Sequence, residues 1–322
     1  QARGRPMGNI IMTLAWIGAV LWPSAILFGL WRGLKAGRGP GWLGWSAIVL
    51  VTAVWALGIR AFLWEPETLV VRRVEVVSQS WEGEPLRVGV ISDIHGGGAH
   101  MSLGRLEDIV AEMNAERPDV ILLLGDYAPG HEPAASRSAD ESAVVMSMLP
   151  PLKKLQAPLG VWSVLGNHDW WYDGEAIEKA LEAEGIPVLE NERVRIERPG
   201  GAFWLGGLAD YESARAQPSY GETLSDLPDG DPVVVMSHWP DVFAAAPDRV
   251  AITFAGHSHC GQVNLPVFGR LMHASPGSEK WPCGLYSNGT RRLYVSGGVG
   301  VSIMPVRFNQ PPEIAVVTLR AD

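Results

Sequence analysis

The chain of 322 residues is 47% hydrophobic and 19% charged, which excludes a disordered or collagen-like polypeptide. Its formal net charge of −9 argues against a nucleic-acid binder working through a basic surface, and two cysteines, Cys260 and Cys283, are too few for a disulfide-stapled scaffold or a four-cysteine zinc site. The charge is unevenly placed: residues 1–64 hold Arg3, Arg5, Arg32, Lys35, Arg38 and Arg60 and no acidic residue, which leaves 20 of the 26 basic residues against all 35 acidic ones, a balance of −15, in the remainder.

Residues 9–31 carry no charge and, as a helix, are long enough to cross a hydrocarbon core of about 30 Å. Pro23 would kink such a helix, which bilayer helices tolerate. A second uncharged run, 41–59, also reaches spanning length, and the polar segment between the two predicts a membrane hairpin. Seven of the fourteen tryptophans precede residue 65, and Trp31, Trp42, Trp45 and Trp64 sit near the ends of the runs, as in an interfacial aromatic belt. A cleaved secretory signal has an apolar region of only about 7–15 residues and a small-residue cleavage site that is not seen here. A buried helical hairpin of a soluble protein fits the length and hydropathy less well. For orientation, Arg32, Lys35 and Arg38 in the short loop oppose Arg3, Arg5 and Arg60, with Arg72 and Arg73 further out. Gln1 is not an initiator, and a start at Met7 removes Arg3 and Arg5, so the count favours a cytoplasmic loop with the remainder of the chain outside. Residues 1–64 therefore read as a membrane anchor, 65–84 as a linker and first strand, and 85–322 as one domain.

In that domain short apolar runs alternate with amphipathic segments. Runs 87–92, 119–124, 160–165, 233–237 and 251–255 are rich in Val, Ile and Leu and too short for helices, as expected of strands buried on both faces. Segment 103–116 places Leu106, Ile109, Val110 and Met113 at helical spacing behind Ser102 as N-cap. Segment 174–184 predicts a second helix, with Asp173 as cap and Glu175 in the first turn. Pro240 opens a short helix. Strands at 202–208, 291–296 and 313–319 complete a layered or two-sheet α/β arrangement. Residues 128–142, rich in Gly, Pro, Ala and Ser, read as a loop.

Each of the five apolar runs is followed almost at once by a metal-binding residue type: Asp93 and His95; Asp126; Asn167, His168 and Asp169; His238; His257 and His259. Five of the eight histidines fall here, and in an α/β sheet ligands gather outside the carboxyl ends of the strands. The expectation is that these groups meet at one end of one sheet. A lone histidine after a strand is usually a hydrogen-bonding group, but several carboxylates and imidazoles buried together need a cation to satisfy them. Mixed nitrogen and carboxylate donors suit Mn, Fe, Zn, Co or Ni. Asp93, His95, Asp126, Asn167, His238, His257 and His259 exceed what one ion needs, so two divalent metal ions sharing a carboxylate is the economical reading. Two ions about 3.5–4 Å apart clamp the attacking and leaving oxygens of a phosphoryl displacement. His100, His131, His273 and Asp173 read as surface or loop residues. Trp170 and Trp171 fit either core packing or an apolar lip to the site. Gly297-Gly298-Val299-Gly300 lacks a phosphate-loop lysine and reads as a tight turn.

The ordered set Asp93-x-His95, Gly125-Asp126, Gly166-Asn167-His168-Asp169, His238 and Gly256-His257-x-His259 resembles the calcineurin-like metallophosphoesterases over residues 70–320. Within that family Gly256-His257-Ser258-His259-Cys260-Gly261-Gln262 is similar to the bacterial branch reading G-H-T-H-G-G-Q, as are Leu285-Tyr286, Leu293-Tyr294-Val295-Ser296, Pro305-Val306-Arg307-Phe308 and Pro312-Glu313-Ile314. That branch includes membrane-anchored or exported phosphodiesterases. The resemblance implies an α/β, layered metallophosphoesterase fold, a two-sheet β core flanked by helices, here preceded by the N-terminal transmembrane hairpin. It implies one metal on Asp93, His95, Asp126 and His259 and a second on Asp126, Asn167, His238 and His257. A hydroxide bridging the two would attack phosphorus, His168 would protonate the leaving oxygen, and Asp169 would orient the His168 ring. Two positions depart from the branch: Cys260 stands where it has glycine, beside a ligand, where a thiolate could perturb the site or pair with Cys283 and a buried free thiol is the expected state; Gly297 stands where relatives often carry arginine. The expected function is a membrane-anchored dinuclear-metal phosphoesterase acting on a phosphodiester or pyrophosphate of a lipid or envelope molecule. The alternatives are a UDP-2,3-diacylglucosamine pyrophosphatase of lipid A synthesis, which needs a cytoplasmic site, and a non-catalytic metal-binding membrane scaffold, which the intact ligand set disfavours. The balance of −15 disfavours a nuclease and a nucleic-acid partner.

Overall fold

The structure, a computed structural model, describes residues 7–322 except Arg38 and Asp229. Arg3, Arg5 and Arg38 of the charge count therefore lie outside the described residues. In chain order the elements are α1 (Met7–Lys35), α2 (Trp42–Ile59), β1 (Val70–Ser78), β2 (Leu86–Ile91), α3 (Leu103–Ala115), β3 (Val120–Leu123), α4 (Ala139–Ser147), β4 (Val161–Ser163), α5 (Asn167–Ala183), β5 (Glu192–Ile196) and β6 (Phe203–Gly207). They continue with α6 (Tyr220–Thr223), β7 (Val233–Met236), β8 (Val250–Ala255), β9 (Asn264–Leu265), β10 (Gly269–Arg270), α7 (Pro276–Lys280), β11 (Gly284–Asn288), β12 (Arg291–Val295) and β13 (Glu313–Ala321).

Helices α1 and α2 are long and apolar enough to cross a membrane. They pair through the Trp55 indole, which donates to the Gly18 carbonyl at 3.3 Å, and α1 runs on through Pro23. Their large apolar side chains, Leu14, Val20, Leu50 and Val54 among them, are exposed, and α2 buries none of its own. A soluble core helix would hide one such face. A π-helical turn, Arg60–Trp64, and a 3-10 turn, Glu65–Glu67, then lead into β1.

Two sheets pack face to face. The first has strand order β1-β13-β2-β3-β4 and the second β11-β12-β8-β7-β6-β5. In the first, β2, β3 and β4 run parallel; in the second, β6, β7, β8 and β12 do. Side-chain alternation assigns each face. Val88 and Val90, with Val120 and Leu122, join Val234, Met236, Ile252 and Phe254 in the core between the sheets. Ile91, Ile121 and Leu123 point the other way, onto Leu106, Ile109, Val110 and Met113 of α3 and Ile177 and Leu181 of α5. Ser102 caps α3 as its sequence predicts, its hydroxyl accepting from the Arg105 N–H at 3.3 Å. Helices thus cover the first sheet, and shorter helical turns cover the second.

Three expectations change. The five strands that precede the ligand-type residues belong to two sheets: β2, β3 and β4 to the first, β7 and β8 to the second. Strands buried on both faces carry the same apolar signal whichever sheet they join, so periodicity alone does not assign partners. Residues 128–142 are not all loop, because α4 begins at Ala139 behind a capping box in which Ser138 and Glu141 satisfy one another. Helical structure also starts earlier than 174: a first turn from Asn167 meets the predicted helix at Asp173, whose extended backbone (φ −176°) breaks the run while its carboxylate accepts from the Ala176 N–H.

Candidate metal centre

The parallel strands of both sheets end at one place. Asp93 and His95 follow β2, Asp126 follows β3, Asn167 and His168 open α5 after β4, His238 follows β7, and His257 and His259 follow β8. Backbone bonds carry the β2–β3 pairing past the strand ends: Asp93 N–H donates to the Gly125 carbonyl at 3.0 Å and His95 N–H to the Asp126 carbonyl at 2.9 Å. Asp93, His95, Asp126, His257 and His259 all hold left-handed backbone, with φ between 47° and 66°. Non-glycine residues rarely adopt this region, and such strain persists where surrounding structure enforces it, commonly at functional sites. Two glycines make room for the cluster. A Cβ on Gly166 would lie 2.3 Å from Asp126 Oδ1, and one on Gly256 would lie 1.9 Å from Ser92 Oγ and 2.8 Å from Asp93 Oδ2.

The donors form two buried groups with Asp126 in common: Asp93, His95, Asp126 and His259, and Asp126, His238 and His257. His95 Nε2 is 3.1 Å from His259 Nε2 and 3.6 Å from Asp126 Oδ2, and His259 Nε2 is 3.3 Å from Asp93 Oδ1. His238 Nε2 is 3.1 Å from Asn167 Oδ1, 3.2 Å from His257 Nδ1 and 3.3 Å from Asp126 Oδ2. Hydrogen bonds on the far side of the rings test whether cations fit. His238 Nδ1 lies 2.7 Å from the Leu124 carbonyl and His95 Nδ1 lies 3.2 Å from the Ala128 carbonyl, so each Nδ1 donates and each Nε2 is turned inward, the atom free to ligate. Around His238 Nε2, an amide oxygen and a carboxylate oxygen then converge on a position that a proton fills without a cation and that a cation would take over. Donors placed about 2.1 Å from a common cation lie roughly 3.0–3.5 Å apart, close to the separations seen.

Electrostatics agree. Burial and the nearby Asp126 carboxylate act oppositely on His238, and the carboxylates win, raising it to about 10. Burial would raise Asp126, but His238, His168 and His95 hold it well below the usual carboxylate range. Burial pushes Asp93 up to about 6 and His95 down to about 3. The cluster is short of positive charge at its centre, which a divalent pair would supply.

His168 stands at the mouth rather than in either group. Its N–H donates to Asp126 Oδ1 at 2.9 Å, its Nε2 is 3.9 Å from Asp126 Oδ2, and its Nδ1 is 2.6 Å from the Gly130 carbonyl. That carbonyl, and not Asp169, orients the ring. Asp169 instead accepts four backbone N–H groups, from Gly166, Asp126, Tyr127 and Ala128, at 2.8–2.9 Å. The expected ring contact is not made in this structure, where both carboxylate oxygens are engaged in fixing the two loops that present Asp126 and Asn167. His131, read from sequence as a loop residue, is exposed but stacks on Trp171 and lies beside His168, so Trp171 belongs to the rim. Trp170 packs inward against the α5 side of the core. His100, also read as a loop residue, has a buried side chain paired with Glu67 at 2.6 Å.

Cys260 is not a free thiol: it is bonded to Cys283. The two departures from the family pattern are linked, because a Cβ on Gly297 would approach Cys260 Sγ to 2.8 Å. Sulfur fills the space a larger residue at 297 would enter. The cation near Gly297 is Arg307, fully buried, whose guanidinium donates to the carbonyls of Gly297, Gly298 and Gly300 and lies 3.5 Å from His259 Nδ1. Sequence reasoning noted Arg307 only within a family-like stretch, and missed Ser302, whose hydroxyl is 3.4 Å from His168 Nε2. Replacing both cysteines by serine opens a loop of 23 residues' separation and is expected to lower stability by about 3 kcal/mol, read as a drop in the denaturation midpoint. An unchanged midpoint would show that the crosslink does not form.

Comparison with known proteins gives the same class. The family described as calcineurin-like phosphoesterase matches residues 86–261. The chain is 31% identical over 230 residues to the Bacillus subtilis (strain 168) protein named "Uncharacterized metallophosphoesterase YkuE", covering 69% of this chain and 77% of that one. It is 29% identical to "Phosphodiesterase YaeI" of Escherichia coli (strain K12), covering 73% and 82%. It is 28% identical to the "Transmembrane protein with metallophosphoesterase domain" of Danio rerio, covering 84% of this chain and 62% of that one. Among solved structures it is similar to a dimetal phosphatase from Danio rerio, with 14% identity, a TM-score of 0.40, and coverage of 67% and 88%.

Proposed function

The chain belongs to the calcineurin-like phosphoesterase family, and from that premise we propose that it is a membrane-anchored hydrolase of a phosphodiester or pyrophosphate carried by a lipid or another envelope molecule. The observation that carries the reading is the pair of donor groups sharing Asp126. In this proposal Asp93, His95, Asp126 and His259 hold one divalent ion, and Asp126, Asn167, His238 and His257 the other. When bound, such a pair supplies Lewis acidity to the phosphoryl oxygens and an activated water at neutral pH.

The remaining work falls to the chain. Asp126 is tied to both groups, and its Oδ1 receives the His168 N–H, so one carboxylate joins the mouth to the metal cradle. The Gly130 carbonyl holds the His168 Nδ1 proton, so the ring would act as acid in its doubly protonated form, with Nε2–H as the bond that gives its proton to the leaving oxygen and leaves the neutral ring. Ser302 faces that same nitrogen. Trp171 and His131 form an aromatic lip beside it.

Supporting the membrane part are the two exposed apolar helices and the similarity to a relative named as a transmembrane protein. The Cys260–Cys283 crosslink supports a catalytic domain on an oxidising, extracytoplasmic side, since structural disulfides are rare in reducing compartments. A reporter fused after residue 322 tests this: a periplasmic signal is expected, and a cytoplasmic one would instead favour the lipid A pyrophosphatase reading.

Purified full-length protein supplied with Mn is expected to hydrolyse bis-p-nitrophenyl phosphate, and EDTA to abolish the turnover. No metal binding and no turnover would end the enzyme reading. His168→Ala is expected to cost on the order of 10²-fold with an alkyl leaving group, which needs a proton, and much less with p-nitrophenolate, which does not. Equal losses on both would remove His168 from the role of acid.

A further inference from the structure

Five large apolar side chains stand in solvent on two segments of the catalytic domain, one of them next to Ser302 at the mouth of the metal centre. Val267 and Phe268, at the turn between β9 and β10, are 101% and 79% exposed; Ile303 is 70% exposed, and Leu271 and Met304 are exposed as well. Val267 and Ile303 also hold left-handed backbone, φ 73° and 62°, where β-branched residues are sterically disfavoured and glycine or asparagine is usual. Nothing in the described chain covers them. The Gln262 side chain ties the 302–304 turn to the segment that leads into β9, donating to the Ser302 and Met304 carbonyls and accepting from the Ser302 N–H at 2.6 Å.

This patch is continuous with the end of α2. Asn264, the first residue of β9, donates to the Phe308 carbonyl and accepts from the Asn309 side chain, both at 2.9 Å. Asn309 in turn accepts from Arg60 at 2.7 Å, and Arg307 N–H donates to the Ala61 carbonyl at 3.0 Å. Val267 lies three residues beyond Asn264, so at a strand rise of about 3.3 Å per residue it is within roughly 10 Å of it. The polar zone of a bilayer adds only about 5–8 Å on each side of the hydrocarbon. If α2 leaves the hydrocarbon near Arg60, the base of this turn at Asn264 stands close to the polar zone, and the turn is within reach of lipid.

We propose that the β9–β10 turn, together with Ile303 and Met304, inserts into the bilayer that the helical hairpin spans, as a second contact of the catalytic domain with lipid. The inference rests on the membrane-anchored reading above. Its consequence is positional. Ser302 is adjacent to the inserted Ile303 and faces His168, so the mouth of the metal centre is held against the headgroup layer. The substrate class is then a phosphoester whose apolar part stays in the membrane during hydrolysis, and a water-soluble diester would gain nothing from this surface.

The test uses the full chain reconstituted in vesicles of phosphatidylethanolamine and phosphatidylglycerol, with a nitroxide on Val267→Cys and, as aqueous control, on the exposed Glu197→Cys. The Val267 label is expected to be accessible to oxygen and shielded from chromium oxalate, and the Glu197 label the reverse. A Val267 label open to chromium oxalate on protein that floats with the vesicles overturns the insertion and leaves the anchor standing. Protein that fails to float overturns both. Short spin–spin distances between the Val267 labels of two chains would mean that a second copy covers the patch, and would also overturn it. As a second measurement, the Val267→Ser, Phe268→Ser double variant is expected to lose about tenfold on vesicle-borne hexadecyl p-nitrophenyl phosphate and nothing on ethyl p-nitrophenyl phosphate. Unchanged turnover of the long-chain diester, on protein for which wild type hydrolyses it, overturns the proposal. Should wild type hydrolyse only the ethyl ester, the lipid-substrate reading falls, and label depth alone decides the insertion.

Discussion

Asp126→Ala is expected to lose about 10⁴-fold or more in phosphodiester turnover and to retain neither ion at stoichiometric level. Among the described residues Asp126 alone belongs to both donor groups. Its Oδ2 lies 3.3 Å from His238 Nε2 and 3.6 Å from His95 Nε2, while Oδ1 holds the His168 N–H. Removing the carboxylate takes a negative ligand from each ion and leaves His238 and His257 facing one another without an anion. If each cation supplies about 3 kcal/mol of transition-state stabilisation, losing the pair amounts to about 6 kcal/mol, or roughly four powers of ten. Metal content by mass spectrometry, measured beside turnover, checks both halves. A variant that keeps two ions per chain and the wild-type rate would exclude Asp126 as a shared ligand. Asp126→Asn, which keeps the shape and one neutral oxygen, is expected to fall between.

The second large effect is on stability. Asp169→Ala removes the common acceptor of four buried N–H groups, those of Gly166, Asp126, Tyr127 and Ala128. An unsatisfied buried donor costs about 1–3 kcal/mol, so the variant is expected to lose on the order of 5 kcal/mol, a large share of a typical domain's stability. The loss should appear as a sharply lower thermal midpoint and as loss of metal, because the freed loops are those that present Asp126 and Asn167. A variant with a wild-type midpoint and metal content but slow turnover would instead return Asp169 to the catalytic role expected from sequence. Burial and the Asp126 charge raise the Asp169 carboxyl to about 7, so its backbone bonds are made against an electrostatic cost, as befits a group kept for geometry.

What could be read from sequence divides along physical lines. Val88, Val90, Leu122 and Phe254 sit in strands buried on both faces, and such runs announce themselves and their ends, which is where Asp93, Asp126 and His257 stand. Strands β5 and β11 passed unnoticed because they are half-exposed edges: Glu192, Arg193 and Arg195 in one, Ser287 and Asn288 in the other, carry no apolar run. The grouping of strands into two sheets depends on partners far apart in sequence, which periodicity does not encode. The same holds for the Cys260–Cys283 bond, and for Arg307, whose role depends on the carbonyls that surround it. The contact between Asp169 and the backbone was invisible for another reason, because main-chain donors leave no mark on residue type. The left-handed backbone of Asp93, His95 and His259 is likewise a property of the folded loops alone.

Strand β13 has a consequence for how the protein is made. Among the described strands it comes last in sequence, yet it lies between β1 and β2, parallel to one and antiparallel to the other. Its first residue also reaches the site, since Glu313 accepts the Gly297 N–H and the Tyr294 hydroxyl, and its own N–H donates to the Gly298 carbonyl. During synthesis β1 to β12 therefore emerge before the first sheet can close, with β1 unpaired and β2 open on one side. On the proposed topology the helical hairpin is already in the bilayer while the remainder crosses as an unfinished array. The first sheet therefore closes only after β13 has joined it, and a chain cut short before Glu313 would be left with a gap through its middle rather than a trimmed edge.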